Sequence, residues 1–585
     1  MSAPLTQDPE HSPKNARGFV INLLYYLVPL AVVSGLCVFA INSISDLPKI
    51  DPQATDPQAA DPQAADPVAQ AAPEPIVPKI DIDLFPSDHV MDVQFTVADE
   101  DWNKIRFQTR NFFEALQTKR KQEPIPSPYV YVNAELTIDR VKFPEMVGLR
   151  KKGFIGSQHT TRPSLKVKVN FVNPKLQVGG LTSLTFNNNK QDITLMSQYM
   201  GYAFFNATGS PAPRCSYARI SINGKPVGLY THVETVRETV LQRGFGNTDG
   251  ALYEGTVVDF FDGWEGSFEL KVGEPAEDKK TREKMVRLIE VLKRPTPVAT
   301  ETATITQQGQ ELEQAIGELV DLESFYRFWA VESLLGFWDG YSGNANNYFV
   351  YHNPATDKFH FMPWGADCMF EKRSKLRVDP RAPLSVKTKG LIAHKLYQIP
   401  ACRERYAKTL KQIMATHWNE EELLAETQRI ESLVKDLIPP EQAATIRFDN
   451  NRRFIRNRRG DIEEETADGM PGWAARPAPP PLLDAPGGRR QPQDTNTIFY
   501  AAKTGNIDAI KKFLEKKVDI NSYDPRGSTA LSFAVLAGKV TAVKFLIDNG
   551  AEVTRPNRDR NTPLHSAAFL GYFDIVNLLI DGGAD

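Results

Sequence analysis

A repeat near the carboxyl end is the feature that most constrains how this chain folds. Gly505, Gly538 and Gly571 follow one another at intervals of 33 residues, and acidic residues at Asp519 and Glu552 keep the same interval. A repeat of this length is a supersecondary unit that buries its apolar face only against a neighbouring copy. The pattern therefore predicts an all-α solenoid of stacked helix pairs.

The repeated segments resemble ankyrin repeats. Asn561–Asp585 reads NTPLHSAAFLGYFDIVNLLIDGGAD and contains the TPLHxA motif, while Ser528–Gly538 keeps the pattern with Ala530 for Pro and Ser532 for His. The segment IFYAAKTGNIDAIKKFLEKKVDI is similar to an amino-terminal repeat. The resemblance implies about three repeats over residues 495–585. Such repeats have no catalysis of their own and are expected to recruit a protein partner.

Length, charge and cysteine content limit the other functions. A chain of 585 residues is too long for one core, so two to four modules are expected. With 69 basic and 72 acidic residues the formal net charge is −3, which disfavours a nucleic-acid partner. The 4 cysteines form no CxxC pair, so neither a disulfide framework nor a cysteine zinc site is expected.

An apolar segment lies near the amino end. Phe19–Ile41 contains 23 residues without a charge, long enough for a helix to cross a hydrocarbon layer of about 30 Å. Lys14 and Arg17 precede it and Asp46 follows, so the positive-inside tendency places residues 1–18 in the cytoplasm. We expect a single-pass membrane protein of the cell envelope with extracytoplasmic main domains. The segment is either a signal anchor or a cleaved signal peptide.

Two changes in composition delimit a central domain. Residues 42–84 form a Pro/Ala/Asp-rich spacer, and residues 461–494 form a Pro/Gly-rich linker. Between them, residues 85–460 contain alternating strand patterns such as Val90–Val97 and helical patterns such as Leu322–Gly336. This mixture predicts an α+β domain.

The segment FWDGYSGNANNYFVYHNPATDKFHFMPWGADCMF, residues 337–370, holds the ligand types of a Mg²⁺–nucleotide site. Asp339 is followed by Asn344 and Asn347, and Asp367 follows a predicted β-hairpin. Protein kinases place a metal-binding Asn five residues after the catalytic Asp, and a second metal-binding Asp behind a hairpin. Asp339 and Asn344 reproduce the first spacing.

This segment resembles the DGY…NNYY…PWG-x-D block of the spore coat protein H (CotH) kinase-like family. Val147–Phe171, VGLRKKGFIGSQHTTRPSLKVKVNF, is similar to the family's VG-R-x-KG…S…P-x-K segment, and Ala218–Glu234 matches a later block. The likeness extends over about Val90–Phe454. It implies an atypical protein-kinase-like domain that transfers the γ-phosphate of ATP, with Mg²⁺ or Mn²⁺, to Ser or Thr of a protein substrate.

The resemblance also implies roles for the polar residues of the segment. Asp339 is the expected catalytic base, and Asp367, Asn344 and Asn347 are the expected metal ligands, with Asn346 a weaker choice. D-G is a common turn dipeptide, so Asp339 as a plain turn residue is the alternative. One of the three Asn residues is expected to be only a turn or capping residue.

The expected phosphate-binding cation is Lys166, because a lysine on a strand can reach inward to the α- and β-phosphates. Lys168 lies on the same face of that strand, and one of the two is expected to be a solvated surface lysine. Glu234 ends a later strand and either pairs with Lys166, lines the nucleotide pocket or is an exposed acid. Asp192 is expected to cap a helix rather than serve the site.

A candidate phosphate-covering loop lies between these strands and contains Arg150, Lys152, Gly153, Gly156 and Ser157. Its glycines would let the backbone approach a phosphate. GxxGS alone is more often a turn, and neither a Walker A motif nor a complete GxGxxG is present.

Three hypotheses for function follow. The first is a membrane-tethered CotH-like kinase whose ankyrin repeats recruit a partner. Many family members carry Asp where this chain has Gly365, and ATP is scarce outside the membrane, which favours a second hypothesis of an inactive cell-envelope scaffold. The third, an AMP-transferring enzyme, uses the same metal chemistry.

Overall fold

The computed structural model describes residues 80–110, 118–154, 156–296, 303–373, 382–472, 477–480, 497–524, 527–557, 561–570 and 572–584. Phe19–Ile41 and nearly all of the predicted spacer lie outside these ranges. Within the described ranges, no helix has the length and apolar character needed to span a bilayer. The chain forms two compact units, one of residues 58–480 and one that contains residues 481–585.

The strands all belong to the first unit and are β1 (Met91–Thr96), β2 (Val132–Ile138), β3 (Val141–Lys142), β4 (Val147–Lys151), β5 (Leu165–Lys168), β6 (Ser183–Asn187), β7 (Cys215–Ile222), β8 (Lys225–Glu234), β9 (Ala251–Gly255), β10 (Glu269–Val272), β11 (Tyr348–Asn353) and β12 (Lys358–Pro363).

The helices of this unit are α1 (Asp99–Phe107), α2 (Ser197–Ala207), α3 (Glu238–Phe245), α4 (Pro275–Lys293), α5 (Ala303–Gly317), α6 (Leu322–Leu334), α7 (Tyr341–Asn344), α8 (Leu391–Gln398), α9 (Pro400–Thr416), α10 (Glu420–Val434), α11 (Pro440–Ala443) and α12 (Asp449–Glu465). The helices of the second unit are α13 (Ile498–Thr504), α14 (Ile507–Glu515), α15 (Ala530–Leu536), α16 (Val540–Asp548), α17 (Pro563–Leu570) and α18 (Phe573–Asp581).

Seven strands of the first unit close into a barrel in the order β1-β7-β8-β6-β5-β4-β2, because β2 also pairs with β1. β1 and β7 are parallel, and the other neighbouring pairs of the ring are antiparallel. The interior is filled by apolar side chains, among them Phe95, Leu149, Val167 and Phe186. The alternating pattern predicted at Val90–Val97 is confirmed by β1, whose residues are alternately buried and more exposed.

The outer face of the barrel carries several of the candidate site residues. Lys166 on β5 is the register neighbour of Arg150 on β4 and of Thr185 on β6. Register neighbours project to the same face of a sheet, so these three side chains share the outer face. Leu165 and Val167 alternate with Lys166 and are buried inside the barrel.

An antiparallel sheet of four strands, in the order β10-β9-β11-β12, follows the barrel. β11 and β12 form the hairpin that the sequence predicts. Helix α6 packs on this sheet through aromatic rings, with Phe325 centred 5.1 Å from Phe361. The ring of Tyr341 lies 4.9 Å from the same Phe361. This cluster fixes the turn between α6 and α7, which contains Asp339.

In its described residues, the second unit contains three helix pairs, α13–α14, α15–α16 and α17–α18. Small and apolar side chains such as Ala502, Leu531 and Val543 form its core. Asn521 Nδ2 donates to the carbonyl of Gly550 at 3.1 Å, and Asn521 Oδ1 accepts from the backbone N–H of Glu552 at 2.8 Å. The prediction of an all-α repeat module at the carboxyl end is confirmed.

Candidate functional site

Asp339 is held in place by the three Asn residues that follow it. Its Oδ1 accepts from Asn344 Nδ2 at 2.7 Å and from Asn346 Nδ2 at 3.3 Å. Its Oδ2 accepts from Asn347 Nδ2 at 2.8 Å. Burial raises the pKa of Asp339, although these amides partly offset that effect. Because the amide nitrogens donate to Asp339, the amide oxygens of Asn344 and Asn347 remain as acceptors, whereas that of Asn346 accepts from Val257 N–H at 3.0 Å.

Glu332, on α6, anchors the Asp339 turn from the interior. This fully buried carboxylate accepts from the backbone N–H groups of Tyr341 and Ser342, both at 2.8 Å. Burial raises the pKa of Glu332 to about 7. A Cβ atom on Gly340 would lie 2.2 Å from Glu332 Oε1, so glycine is required there by close approach. Glu332 could not be singled out from the sequence, because Glu323 and Arg327 lie in the same helix and nothing local marks one acid as buried.

Lys389 lies on the other side of the turn and was also missed. Its backbone N–H donates to the carbonyl of Ser342 at 2.8 Å. The side chain is half-buried, and among the described residues it makes no hydrogen bond or ion pair. Burial lowers the pKa of Lys389, and the nearby charge of Asp339 raises it in part. Lys389 thus places a positive charge beside the candidate base.

Asp367 approaches Asp339 from the end of the β-hairpin. The backbone N–H of Trp364 donates to the carbonyl of Asn347 at 3.0 Å, which fixes the path of the chain before Asp367. Burial, and then the negative charges of Asp339 and Asp192, raise the pKa of Asp367 to about 7. Within the described ranges, no side chain donates a hydrogen bond to its carboxylate.

Gly365 is explained by its conformation. Its φ is +52°, in the left-handed region that favours glycine. A Cβ atom at this position would lie 2.4 Å from Asn347 Oδ1. The turn as it stands therefore has no room for an aspartate side chain at position 365, and Asp367 supplies the carboxylate at this end of the hairpin.

Asp192 stabilises the turn before α2 and does not occupy the N-cap position predicted for it, because the helix begins at Ser197 and its N-cap residue is Met196. Its buried carboxylate accepts from the backbone N–H of Thr194 at 3.0 Å and of Ser197 at 2.8 Å, at the start of α2. Ser197 Oγ in turn donates to the carbonyl of Met369 at 3.3 Å. Tyr202 on the same helix accepts from the backbone N–H of Ala366 at 3.3 Å. Helix α2 therefore supports the segment that contains Asp367.

Lys152 and Lys166 supply positive charge on the barrel side of the site. Lys152 Nζ donates to Asn187 Oδ1 at 2.7 Å and lies 5.5 Å from the centre of the Trp364 ring. Burial lowers the pKa of Lys152 to about 8 and that of Lys166 to about 7. Lys168 is exposed. Of the two lysines on β5, Lys168 is thus the solvated one.

In the candidate phosphate-covering loop, Arg150 contacts neighbouring side chains and Gly153 allows a close approach of Ser157. The guanidinium of Arg150 turns to Ser127 Oγ at 3.4 Å and stacks over Tyr131 at 5.1 Å. Gly153 has a φ of +90°, and a Cβ atom there would lie 2.6 Å from Ser157 Oγ. Gly153 therefore allows the loop to fold back on Ser157, whose carbonyl accepts from Ser164 N–H at 2.9 Å.

The expected pairing of Glu234 with Lys166 is wrong. Glu234 is the register neighbour of Leu184, on the inner face of the barrel, whereas Lys166 aligns with Thr185 on the outer face. Fully buried Glu234 accepts from Arg214 Nη2 at 2.9 Å and from Arg243 Nη1 at 3.0 Å. Strand β8 is buried on both faces from Gly228 to Glu234, so its sequence shows no alternation from which the face of Glu234 could be predicted.

Glu254 on β9, which was not predicted from the sequence, acts through its charge on both Lys152 and Lys166. Lys271 Nζ contacts Glu254 Oε2 at 2.7 Å. Burial disfavours the charged form of Glu254, but the charges of Lys271, Lys166 and Lys152 outweigh burial and lower its pKa. Glu254 and Lys271 both belong to the four-stranded sheet, so their approach to the barrel lysines is a tertiary contact.

The resulting arrangement has two carboxylates, from Asp339 and Asp367, beside amide oxygens and lysines. Carboxylate and amide oxygens are the ligands that Mg²⁺ prefers. In the part of the chain that the structure describes, no group of three or more His, Cys, Asp and Glu residues is placed to hold a metal ion. A metal here would therefore take ligands from amides, water or a nucleotide as well as from carboxylates.

The fold and the site define an α+β protein whose candidate site combines two carboxylates with several lysines, joined in sequence to an all-α repeat unit. The "CotH kinase protein" family matches residues 149–459, and the chain belongs to that family. "Ankyrin repeats (3 copies)" match residues 498–585. Both resemblances stated from the sequence are thereby confirmed.

Similar proteins were found among curated sequences and solved structures. The chain is 23% identical over 313 residues to "Inner spore coat protein H" of Bacillus subtilis (strain 168), which covers 50% of this chain and 80% of that protein. It is 38% identical over 55 residues to "Inner spore coat protein H-like protein" of the same organism, over 9% of this chain and 18% of that protein. The human ASB11 ankyrin repeat domain matches 15% of this chain and 40% of its own length, at 32% identity and a TM-score of 0.15.

Proposed function

We propose that this protein is a CotH-like kinase that transfers the γ-phosphate of ATP, with Mg²⁺ or Mn²⁺, to Ser or Thr of a protein substrate. The observation that carries the proposal is the buried Asp339 carboxylate that three Asn amides orient, with Asp367 within electrostatic range of it. Burial, and then the negative charges of Asp339 and Asp192, raise the pKa of Asp367 to about 7, and a divalent cation would stabilise the ionised form.

The residues present fit such a cation. The carboxylate of Asp367 receives no hydrogen bond from a side chain among the described residues, and Asn344 and Asn347 keep their amide oxygens as acceptors. The metal, when bound, neutralises charge on the transferred phosphoryl group. Oxygen ligands of this kind do not separate Mg²⁺ from Mn²⁺, so either ion suits the proposal.

The protein's own residues would supply the remaining steps. Asp339, oriented by three amides, accepts the proton of the substrate hydroxyl. Lys152 and Lys166 bind the nucleotide phosphates, and an anion beside them favours their charged forms. Lys389 provides further positive charge next to Asp339. The loop around Gly153 and Ser157 lies next to Lys152 along the chain and covers the phosphates in this proposal.

An inactive cell-envelope scaffold is the alternative from a different class. The glycine at position 365, where an Asp was expected from the family resemblance, favoured the scaffold. However, the turn at Gly365 has a conformation that only glycine fits, so the glycine is a structural requirement rather than the loss of a ligand. A scaffold would also not require the three amides that orient Asp339. AMP transfer remains the chemical alternative, since it uses the same cation and phosphate ligands.

The wider organisation is also part of the proposal. Phe19–Ile41 would tether the protein to a membrane of the cell envelope, with residues 1–18 in the cytoplasm. The ankyrin unit would recruit the protein substrate or a regulator. Protease protection of the full chain in sealed vesicles tests the tether and its orientation, and a chain that is washed off at high salt would contradict both.

Mass spectrometry tests the reaction itself. The full chain is incubated with Mg²⁺, ATP and a generic protein acceptor, and the modified residue is identified by fragmentation. A phosphoryl group on Ser or Thr is expected. An adenylyl group would replace the proposal with AMP transfer, and an unmodified acceptor without ATP-dependent thermal stabilisation would favour the scaffold.

A further inference from the structure

A buried charge cluster lies at the edge of the four-stranded sheet. Lys271 Nζ contacts Glu254 Oε2 at 2.7 Å and Glu269 Oε1 at 2.5 Å. The side chains of Lys271 and Glu254 are only 16% and 21% exposed, whereas that of Glu269 is 47% exposed. The pair of Lys271 and Glu254 is therefore inside the protein, and Glu269 lies at its solvent edge.

A chain of contacts links this cluster to Lys152 of the barrel. Glu254 is the register neighbour of Phe349 on β11. The ring of Phe349 packs edge-on against the ring of Trp364, with centroids 5.4 Å apart. Lys152 Nζ lies 5.5 Å from the centre of that same Trp364 ring. The barrel lysine and the sheet carboxylate therefore flank one aromatic wall.

Lys166 faces the same cluster from the outer surface of the barrel. It is half-buried, and within the described ranges its amine has no hydrogen bond or ion pair. Burial, together with the charges of Arg237, Arg150 and Lys271, lowers its pKa to about 7, and the charge of Glu254 acts in the opposite direction. Lys166 is thus a partly buried cation that lacks a dedicated counter-ion.

The cluster carries more positive than negative charge. Lys152, Lys166 and Lys271 act on Glu254, while the exposed Glu269 adds only a screened charge. Arg150 and Arg237 add positive charge near Lys166, and Asp367 adds one negative charge near Lys152. Partly buried like charges that converge in this way are costly unless an anion joins them. A ligand with several negative charges along its length would relieve this repulsion, because lysines bind phosphates as point charges.

We propose that Lys271 is a third phosphate-binding lysine, which reaches the polyphosphate of the nucleotide from the four-stranded sheet while Lys152 and Lys166 reach it from the barrel. Glu254 is their shared counter-ion and orients Lys271. The assignment rests on the proposed nucleotide-dependent function. The group recognised is the polyphosphate of the nucleotide. Lysines of the barrel and a lysine of the four-stranded sheet would contact it together.

Calorimetric titration of the full chain with sodium tripolyphosphate, without metal, tests this inference. We expect Lys271→Met to weaken binding by about tenfold, the effect of one lost charge-assisted contact. Lys168→Met is the matched control, because Lys168 is an exposed lysine on the same strand as Lys166. We expect that control to change the affinity by less than about twofold.

A second variant guards against misfolding. Lys271→Met leaves the Glu254 carboxylate buried without its partner, so the double variant Glu254→Gln/Lys271→Met removes both charges of the pair. We expect the double variant to melt near the wild-type temperature and to bind tripolyphosphate as weakly as the single variant.

The outcomes separate this inference from the proposed reaction. Equal affinities of wild type, Lys271→Met and the double variant would overturn the inference and leave phosphoryl transfer untouched. Failure of the wild type to bind tripolyphosphate would also overturn it. Selective loss in the Lys271 variants supports it, even if the acceptor is never phosphorylated and the proposed reaction therefore fails.

Discussion

Asn347 donates its side-chain amide to Asp339 twice, to the carboxylate at 2.8 Å and to the main-chain carbonyl at 3.0 Å. Its own carbonyl accepts from Trp364 N–H at 3.0 Å. Asn347 has a φ of +52°, a conformation that Asn tolerates better than most residues. One residue therefore joins the turn of the candidate base to the strand end that leads to Asp367.

This relationship predicts that Asn347→Gly impairs activity more than stability. Glycine keeps the positive φ but removes the amide that orients Asp339. We expect single-turnover phosphoryl transfer to fall by at least about tenfold, because a misplaced base loses its near-attack geometry. Asn223→Gly is the control, since Asn223 also has a positive φ of 51° and lies in the β7–β8 turn. Equal rates in wild type and Asn347→Gly would refute the positioning role.

Gly365 should not accept a side chain. We expect Gly365→Ala to lower the free energy of unfolding by about 1–3 kcal/mol, from left-handed strain and the contact with Asn347. Urea unfolding measures this change. Gly460→Ala on α12 is the matched control: no atom lies within 4 Å of the new Cβ, and helix propensity predicts a gain of up to about 1 kcal/mol. Similar effects at the two sites would contradict the explanation of Gly365.

The raised pKa of Asp367 gives a stability effect with a defined sign. Its pKa is about 7 in the folded protein, above the ordinary value of 3.8. A carboxyl with a raised folded-state pKa costs stability once it ionises, so the cost is absent below about pH 4 and grows as the pH rises towards 7. We expect Asp367→Asn, in the presence of a chelator, to be more stable than wild type at pH 8 by about 1–3 kcal/mol.

Urea unfolding of Asp367→Asn between pH 4 and pH 8 checks this expectation, and the gain should vanish at the acidic end. Asp357→Asn is an informative control, because Lys284 lowers the pKa of Asp357 and its loss should give no gain at any pH. A wild type and an Asp367→Asn variant of equal stability at pH 8 would show that Asp367 is not repelled by its neighbours.

Glu234 and Lys166 should behave as members of separate sites. We expect Glu234→Ala to lower the free energy of unfolding by about 2–4 kcal/mol, because it breaks a buried carboxylate's contacts with Arg214 and Arg243. Its affinity for Mg²⁺-ATP should be unchanged in the folded fraction. Lys166→Met should show the reverse, with weakened Mg²⁺-ATP binding and no loss of stability. Parallel losses of affinity in both variants would restore the pairing that the register excludes.

The sequence predicted those features that local patterns determine. Strand β1, the β11–β12 hairpin and the ankyrin unit follow from side-chain alternation and a fixed repeat. The cluster around Asp339 was predictable because its Asn partners lie within eight residues of it. The face of the barrel on which Glu234 lies was not predictable, because β8 is buried on both faces near Glu234 and shows no alternation there.

The missed residues share a different cause. Glu254 and Lys271 meet Lys152 and Lys166 only because the four-stranded sheet packs against the barrel. Glu332 accepts from the backbone N–H groups of Tyr341 and Ser342, which lie beyond the end of its helix, so its role depends on the tertiary fold. Tertiary contacts between distant segments leave little trace in a single sequence. A residue whose partners are close to it along the chain, such as Asp339, leaves a motif.

Transfer of label from γ-labelled ATP by the full chain, in the presence of Mg²⁺, tests the proposed phosphoryl transfer itself. Wild type is compared with Asp339→Asn, Asp367→Asn and the control Asp357→Asn, after each variant is shown to be folded. We expect labelled Ser or Thr with wild type and the control, and a loss of at least about 100-fold with both site variants. Label transfer that survives in Asp339→Asn and Asp367→Asn, or that is absent in a folded wild type, would contradict the account.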